Sequence, residues 1–104
     1  SVASQDGAAS NRLGLKVEPI AEDRRRALGD PEGGVIIAAV EDDAAYRAGL
    51  RRGDVVLAIN NRLVEDVPAF EAIAESLPAG KAVALRVMRD GVVRYIAYTP
   101  TAED

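Results

Sequence analysis

Six consecutive apolar residues, Val35-Ile36-Ile37-Ala38-Ala39-Val40, stand between Gly33-Gly34 and Glu41-Asp42-Asp43. Their β-branching and the short length of the run favour a buried strand over a helix. A second run, Val55 to Ile59, has the same character. Such strands need a core, and the chain can build only one. It has 104 residues, a single-domain length, and 48% are apolar. With one Phe, three Tyr and no Trp, that core is made of Val, Ile, Leu and Ala.

The elements follow from periodicity and turn chemistry. Leu13, Leu15 and Val17 alternate onto one face of a short strand that contains Gly14, and a glycine there marks close approach of another backbone or a ligand. Residues 20–28 suit a short helix stopped by Gly29, followed by the turn Asp30-Pro31-Glu32-Gly33-Gly34. After the first buried run, Asp42 or Asp43 is the expected N-cap of a short helix ending at Gly49. Leu50 packs back, and Arg51-Arg52-Gly53-Asp54 turns the chain into the second buried run. Asn60-Asn61 is a tight turn, from which Arg62-Leu63-Val64 returns. The longest helix starts after Glu65-Asp66 and repeats Val67, Phe70, Ile73, Ala74 and Leu77 at helical spacing. Pro78-Ala79-Gly80 stops it. Val83, Leu85 and Val87 then alternate up to Asp90-Gly91, a hairpin turn, and residues 92–99 form the partner strand.

Composition removes several functions. There is no His and no Cys, so neither a Ser-His-Asp nor a Cys-His site can be built, and zinc loses its usual nitrogen and sulfur ligands. Of the four serines, Ser1, Ser4 and Ser10 fall in the N-terminal segment, Ser76 sits near a helix end, and nothing places Lys16 or Lys81 beside any of them. Glu22-Asp23 and Glu41-Asp42-Asp43 lack calcium-loop spacing and read as helix-end charges. Gly80-Lys81 lacks the rest of a phosphate loop. No metal or cofactor is expected. The net charge of −4 argues against a nucleic-acid partner; Arg24-Arg25-Arg26 reads as a solvated helix face. No apolar run approaches a membrane span. Residues 1–10 read as a flexible linker, 11–100 as one domain and 101–104 as a flexible tail, as expected of a piece of a longer protein.

The stretch Ala45-Tyr46-Arg47-Ala48-Gly49-Leu50-Arg51-Arg52-Gly53-Asp54, running on through Val55 to Ile59-Asn60, resembles the most recognisable segment of bacterial PDZ domains. Leu77-Pro78-Ala79-Gly80-Lys81 and Val87-Met88-Arg89-Asp90-Gly91 match as well, and Arg12-Leu13-Gly14-Leu15 is similar to the family's carboxylate-binding loop. The resemblance covers roughly residues 11–99. Three places depart from it: Asp43-Ala44-Ala45 replaces a common Ser-Pro-Ala, Asn60-Asn61 replaces Asn-Gly, and Arg12 stands where many PDZ loops have glycine or another residue.

The element order, with the carboxylate-loop strand first and a long hairpin last, resembles the circularly permuted PDZ arrangement of HtrA/DegP-type serine proteases, in particular a C-terminal or second PDZ domain. The resemblance implies an α+β fold: a small, partly open β-barrel or sandwich of five to six strands, capped by one long and one or two short helices. It also implies a non-catalytic, periplasmic module that binds hydrophobic C-termini of unfolded or envelope proteins by strand addition. Arg12, Leu13, Gly14 and Leu15 would hold the peptide carboxylate. Lys16, Val17, Ala69, Phe70 and Ile73 would line the groove, with one of Phe70 and Ile73 facing it and the other the core. Alternatives are a role in oligomer assembly with neighbouring protease or PDZ domains, or a PDZ domain of a secretion-system, site-2 or tail-specific protease.

Overall fold

The computed structural model describes residues 13–28, 33–78 and 80–101. The chain order is β1 (Leu15–Pro19), α1 (Glu22–Arg25), β2 (Val35–Val40), α2 (Asp43–Ala48), β3 (Val55–Ile59), β4 (Arg62–Leu63), α3 (Val67–Ser76), β5 (Val83–Arg89) and β6 (Val92–Tyr98). The strands form one antiparallel sheet in the order β1-β2-β3-β5-β6, with β4 paired to β3 off that path. The expected barrel is thus a six-stranded open sheet with β1 and β6 at its two ends.

Alternation sets the two faces. Along β5, Val83, Leu85 and Val87 are buried while Ala84 between them is exposed. The core joins these to Leu15, Val17, Val35, Ile37, Val56 and Ile59 of the other strands and to Phe70, Ile73 and Ala74 of α3. Phe70, the largest fully buried side chain, anchors α3 to the sheet.

Local chemistry ends the elements where the side chains dictate. Asp42, not Asp43, caps α2 by accepting from the Ala44 amide at 2.9 Å, and Gly49 closes that helix at a φ of 116°. Asp66 caps α3 through the Ala69 amide at 3.0 Å, with Pro68 in the first turn. Asn60 and Asn61 both hold positive φ, as do Asp90 and Gly91, the geometry of tight hairpin turns. Asn60 also fastens its turn to β5, donating its amide to the Ala84 carbonyl (2.8 Å) and accepting the Ala84 amide on Oδ1 (2.9 Å).

Four boundaries differ from the sequence expectations. The first helix is one turn, 22–25, rather than 20–28: its four residues are all charged and none is buried, so nothing beyond them holds a helix to the core. Gly14 precedes β1 instead of lying within it. β4 stops at Leu63, and Val64 turns into the core, donating its amide to the Leu57 carbonyl at 3.0 Å. β6 ends at Tyr98 rather than Thr99. The linker 1–10, Gly29, the turn residues Asp30 to Glu32, Ala79 and the tail from Ala102 lie outside the described residues.

Asp54 explains part of the recognised stretch. It is buried, and its carboxylate accepts from the Arg51 amide (3.0 Å) and from Arg89 Nε (2.7 Å) and Nη2 (2.6 Å). Arg89 also donates to the Gly49 carbonyl at 2.7 Å. One two-pronged ion pair therefore ties the α2–β3 turn to the end of β5. The basic run at 24–26 is a surface feature, as expected: Arg24 and Arg26 are exposed, and Arg25 donates to the Gly33 carbonyl at 3.0 Å.

Candidate functional site

The site begins with a strand that has only one partner. Among the described residues β1 pairs with β2 alone, in a register that slips between Lys16 and Val17. An end strand presents main-chain donors and acceptors on its other edge. The long helix α3 packs against this same strand. Lys16 and Glu18 point outward from β1, while Leu15 and Val17 point into the core.

The turn before β1 is held by its carbonyls. The Tyr98 hydroxyl donates to the Leu13 carbonyl at 2.9 Å, a buried bond. The Gly14 carbonyl accepts from the amides of Glu41 (2.8 Å) and Asp42 (3.3 Å). In a trans peptide the N–H points opposite to the C=O. Anchoring the Leu13 and Gly14 carbonyls therefore aims the Gly14 and Leu15 amides away from Tyr98 and Asp42. Gly14 sits at a φ of +68°, and a Cβ built there would collide with the Asp42 Cβ and lie 3.0 Å from the Asp42 nitrogen. The close approach expected at this glycine is made by Asp42, a residue of the chain itself.

Asp42 is a hub. It is 5% exposed, and besides the Ala44 amide its carboxylate accepts the Thr101 amide (2.8 Å) and the Thr101 hydroxyl (2.6 Å). One carboxylate thus joins the start of α2, the segment after β6 and, through its own backbone, the turn at Gly14. Asp42 was foreseen only as a possible cap, and Tyr98 and Thr101 were not foreseen at all. Their partners lie 59 and 85 residues away in the chain, beyond the range of any local pattern.

Burial, and secondarily the negative charge of Asp42, push the Tyr98 hydroxyl well above the ordinary tyrosine value. A raised folded-state value means the fold favours the neutral phenol. Its contribution is fully present below about pH 10, where unfolded tyrosine is neutral, and is lost as the pH rises toward the folded-state value. Stability measured by urea unfolding should therefore hold up to about pH 10 and fall as the pH rises above it. Tyr98→Phe should flatten that fall and cost about 1 kcal/mol at neutral pH through the bond lost to Leu13. An unchanged high-pH profile in the variant would exclude Tyr98 as its source.

The foreseen groove residues divide by burial. Phe70 is fully buried and Ile73 is 5% exposed, so both belong to the core, against the expectation that the two split between core and groove. A hundred-degree step per residue puts positions three apart on one helix face, which accounts for the shared burial. Val17 is 6% exposed, Ala69 is half-buried and Lys16 is exposed. Arg12 lies outside the described residues.

Residues 11–97 match the family model described as a PDZ domain. The chain belongs to the PDZ domain family. Within it the kinship is with HtrA/DegP-type serine proteases. The chain is 39% identical over 89 residues to "Probable periplasmic serine endoprotease DegP-like" of Pseudomonas fulva, an alignment covering 86% of this chain and 18% of that protein. The protein of the same name from Marinomonas is 33% identical over 97 residues, covering 93% of this chain and 20% of the relative. The chain thus spans about a fifth of the length of these curated relatives, whose names agree with the periplasmic location implied by the resemblance.

Among solved structures, the HtrA-type protease AlgW with a decapeptide superposes with a TM-score of 0.76 at 25% identity, covering 91% of this chain and 30% of that one. The HtrA3 PDZ domain bound to a phage-derived ligand matches in fold, with a TM-score of 0.69 at 16% identity, covering 86% of this chain and 84% of that one.

Proposed function

We propose that this domain binds the free C-termini of polypeptides, by strand addition to the outer edge of β1, as a recognition module of a periplasmic HtrA-like serine endoprotease. The observation that carries this reading is the pinned turn: the Leu13 and Gly14 carbonyls are fastened behind it, which turns the amides of their peptide units forward, at the head of a strand that pairs with β2 alone among the described residues. Successive amides around a positive-φ glycine make a concavity suited to an anion. The solved AlgW structure with a decapeptide supports a peptide as the ligand class.

In this mechanism the terminal carboxylate meets the amides of Leu13, Gly14 and Leu15, with Arg12 adding charge. The peptide's main chain pairs along Lys16 and Val17. Its last side chain enters between β1 and α3. Phe70 lies beneath in the core, and the contact on the helix falls to Ala69 and the small exposed part of Ile73. Each main-chain bond contributes about 0.5–1.5 kcal/mol net, and burying one Val or Leu side chain about 1.5–3 kcal/mol. After the cost of ordering both partners, affinity falls in the micromolar class. The module carries out no chemistry: it delivers substrate to, or regulates, a protease domain elsewhere in the parent chain.

Calorimetric titration with a short hydrophobic peptide, as free acid and as C-terminal amide, tests this directly. The acid should bind in the micromolar range and the amide at least about tenfold more weakly, the loss of a charge-assisted contact. Equal binding of the two forms would sink the carboxylate reading. Failure of both would shift the role toward assembly.

A further inference from the structure

Lys16 is a cation without a counter-ion. It is exposed on β1, and it takes no part in the ion pairs among the described residues, which join Arg25 to Glu22, Arg47 to Asp43 and Arg89 to Asp54. Its cross-strand partner on β2 is Ala39, which carries no charge. Glu18 lies two residues along the same face of β1, and Glu41 lies just beyond the end of β2, yet neither pairs with it. The position still open to a directly opposed partner is on a strand added to the other side of β1.

Strand addition fixes which ligand residue takes that position. The terminal carboxylate meets the turn at the start of β1, so the ligand runs antiparallel to β1 with its last residue beside Leu15. Counting back, the second-last residue stands beside Lys16, the third-last beside Val17 and the fourth-last beside Glu18. Side chains alternate along a strand. Leu15 and Val17 point into the core, so the last and third-last ligand side chains point inward, and the second-last and fourth-last point outward with Lys16 and Glu18. Opposed side chains have Cβ atoms about 4.5–5.5 Å apart, within reach of an ion pair.

The two outward positions differ in charge. Glu18 lines a cleft of about 370 Å³ together with Arg24 and Arg52, both exposed and both outside the ion pairs of the described residues. A ligand charge of either sign meets both signs there, so that position discriminates little. Lys16 is not part of the cleft.

We infer that Lys16 is a specificity-determining residue of the peptide groove, selecting ligands whose second-last residue is Asp or Glu ahead of an apolar last residue. This role rests on the proposed strand addition to β1 and adds a sequence preference to it. An opposed ion pair on an exposed sheet face is a modest effect, so the selection is several-fold and not all-or-none.

The test uses N-acetylated hexapeptides that end in Val as the free acid and differ only in a second-last Glu, Ala or Lys, titrated calorimetrically into the chain. At low salt the Glu peptide should bind about threefold more tightly than the Ala peptide and about tenfold more tightly than the Lys peptide. In about 1 M salt that spread should shrink to about twofold, because exposed charges are screened. Lys16→Glu should invert the order, and Lys16→Met should bring the three affinities within about twofold of one another. Exchanging Glu for Lys at the fourth-last position should change affinity by less than about twofold. The Glu peptide as a C-terminal amide keeps the two readings apart. If it binds as well as the acid, or neither binds, strand addition through the carboxylate falls and the role of Lys16 falls with it. If the acids alone bind but the Glu, Ala and Lys peptides are equal, strand addition stands and the role of Lys16 is overturned. A spread that survives high salt, persists in Lys16→Met or is larger at the fourth-last position overturns it as well.

Discussion

Asp54→Ala is expected to lower the free energy of unfolding by about 3 kcal/mol, the lower end of the range for removing one partner of a buried ion pair. The lower end applies because the Arg89 side chain is 31% exposed and can turn toward water, whereas Asp54 is almost fully enclosed. Two consequences add up in this variant. The Arg51 amide loses its acceptor, which opens the turn into β3. Arg89 then keeps only its bond to the Gly49 carbonyl, so the end of β5 loosens from α2. For a domain of this size the melting temperature should drop by about 15 °C. Asp54→Asn should cost less, since its amide oxygen still accepts from Arg51 or Arg89. Thermal unfolding of the three proteins at neutral pH decides the matter: an alanine variant within about 0.5 kcal/mol of the parent would mean the pair contributes nothing net.

Gly14→Val should cost about 3 kcal/mol or more, and it should remove peptide binding as a consequence of that damage. A β-branched residue at a φ of +68° is strained by about 1–3 kcal/mol before any contact is considered. Its Cβ would also overlap Asp42, so the Gly14 carbonyl could not stay on the Glu41 and Asp42 amides. Loss of binding in this variant therefore does not isolate the carboxylate contact. Tyr98→Phe is the finer probe, because it releases only the Leu13 carbonyl. Urea unfolding of Gly14→Val should show a lowered midpoint. Parent-like stability would mean that the turn is not held against Asp42.

Much of the fold was legible because it follows from short-range chemistry. Period-two alternation announced β1 and β5, the β-branched runs announced β2 and β3, and Asn60-Asn61 and Asp90-Gly91 announced their turns. Helical spacing found α3 and its buried face, yet it could not say that Phe70 and Ile73 share one environment. The helix expected at 20–28 shrank to one turn because propensity there has no packing behind it.

The sequence by itself determined the order of elements and the family they belong to, because each rests on residue type and local spacing. Only the tertiary structure decided which strands stand at the two ends of the sheet among the described residues. It also decided that Asp42, Tyr98 and Thr101 hold the turn before β1. Alternation says that a strand has two faces, but it does not say what covers each. Hydrogen bonds spanning 35 to 85 residues exist only once the sheet order has brought their ends together.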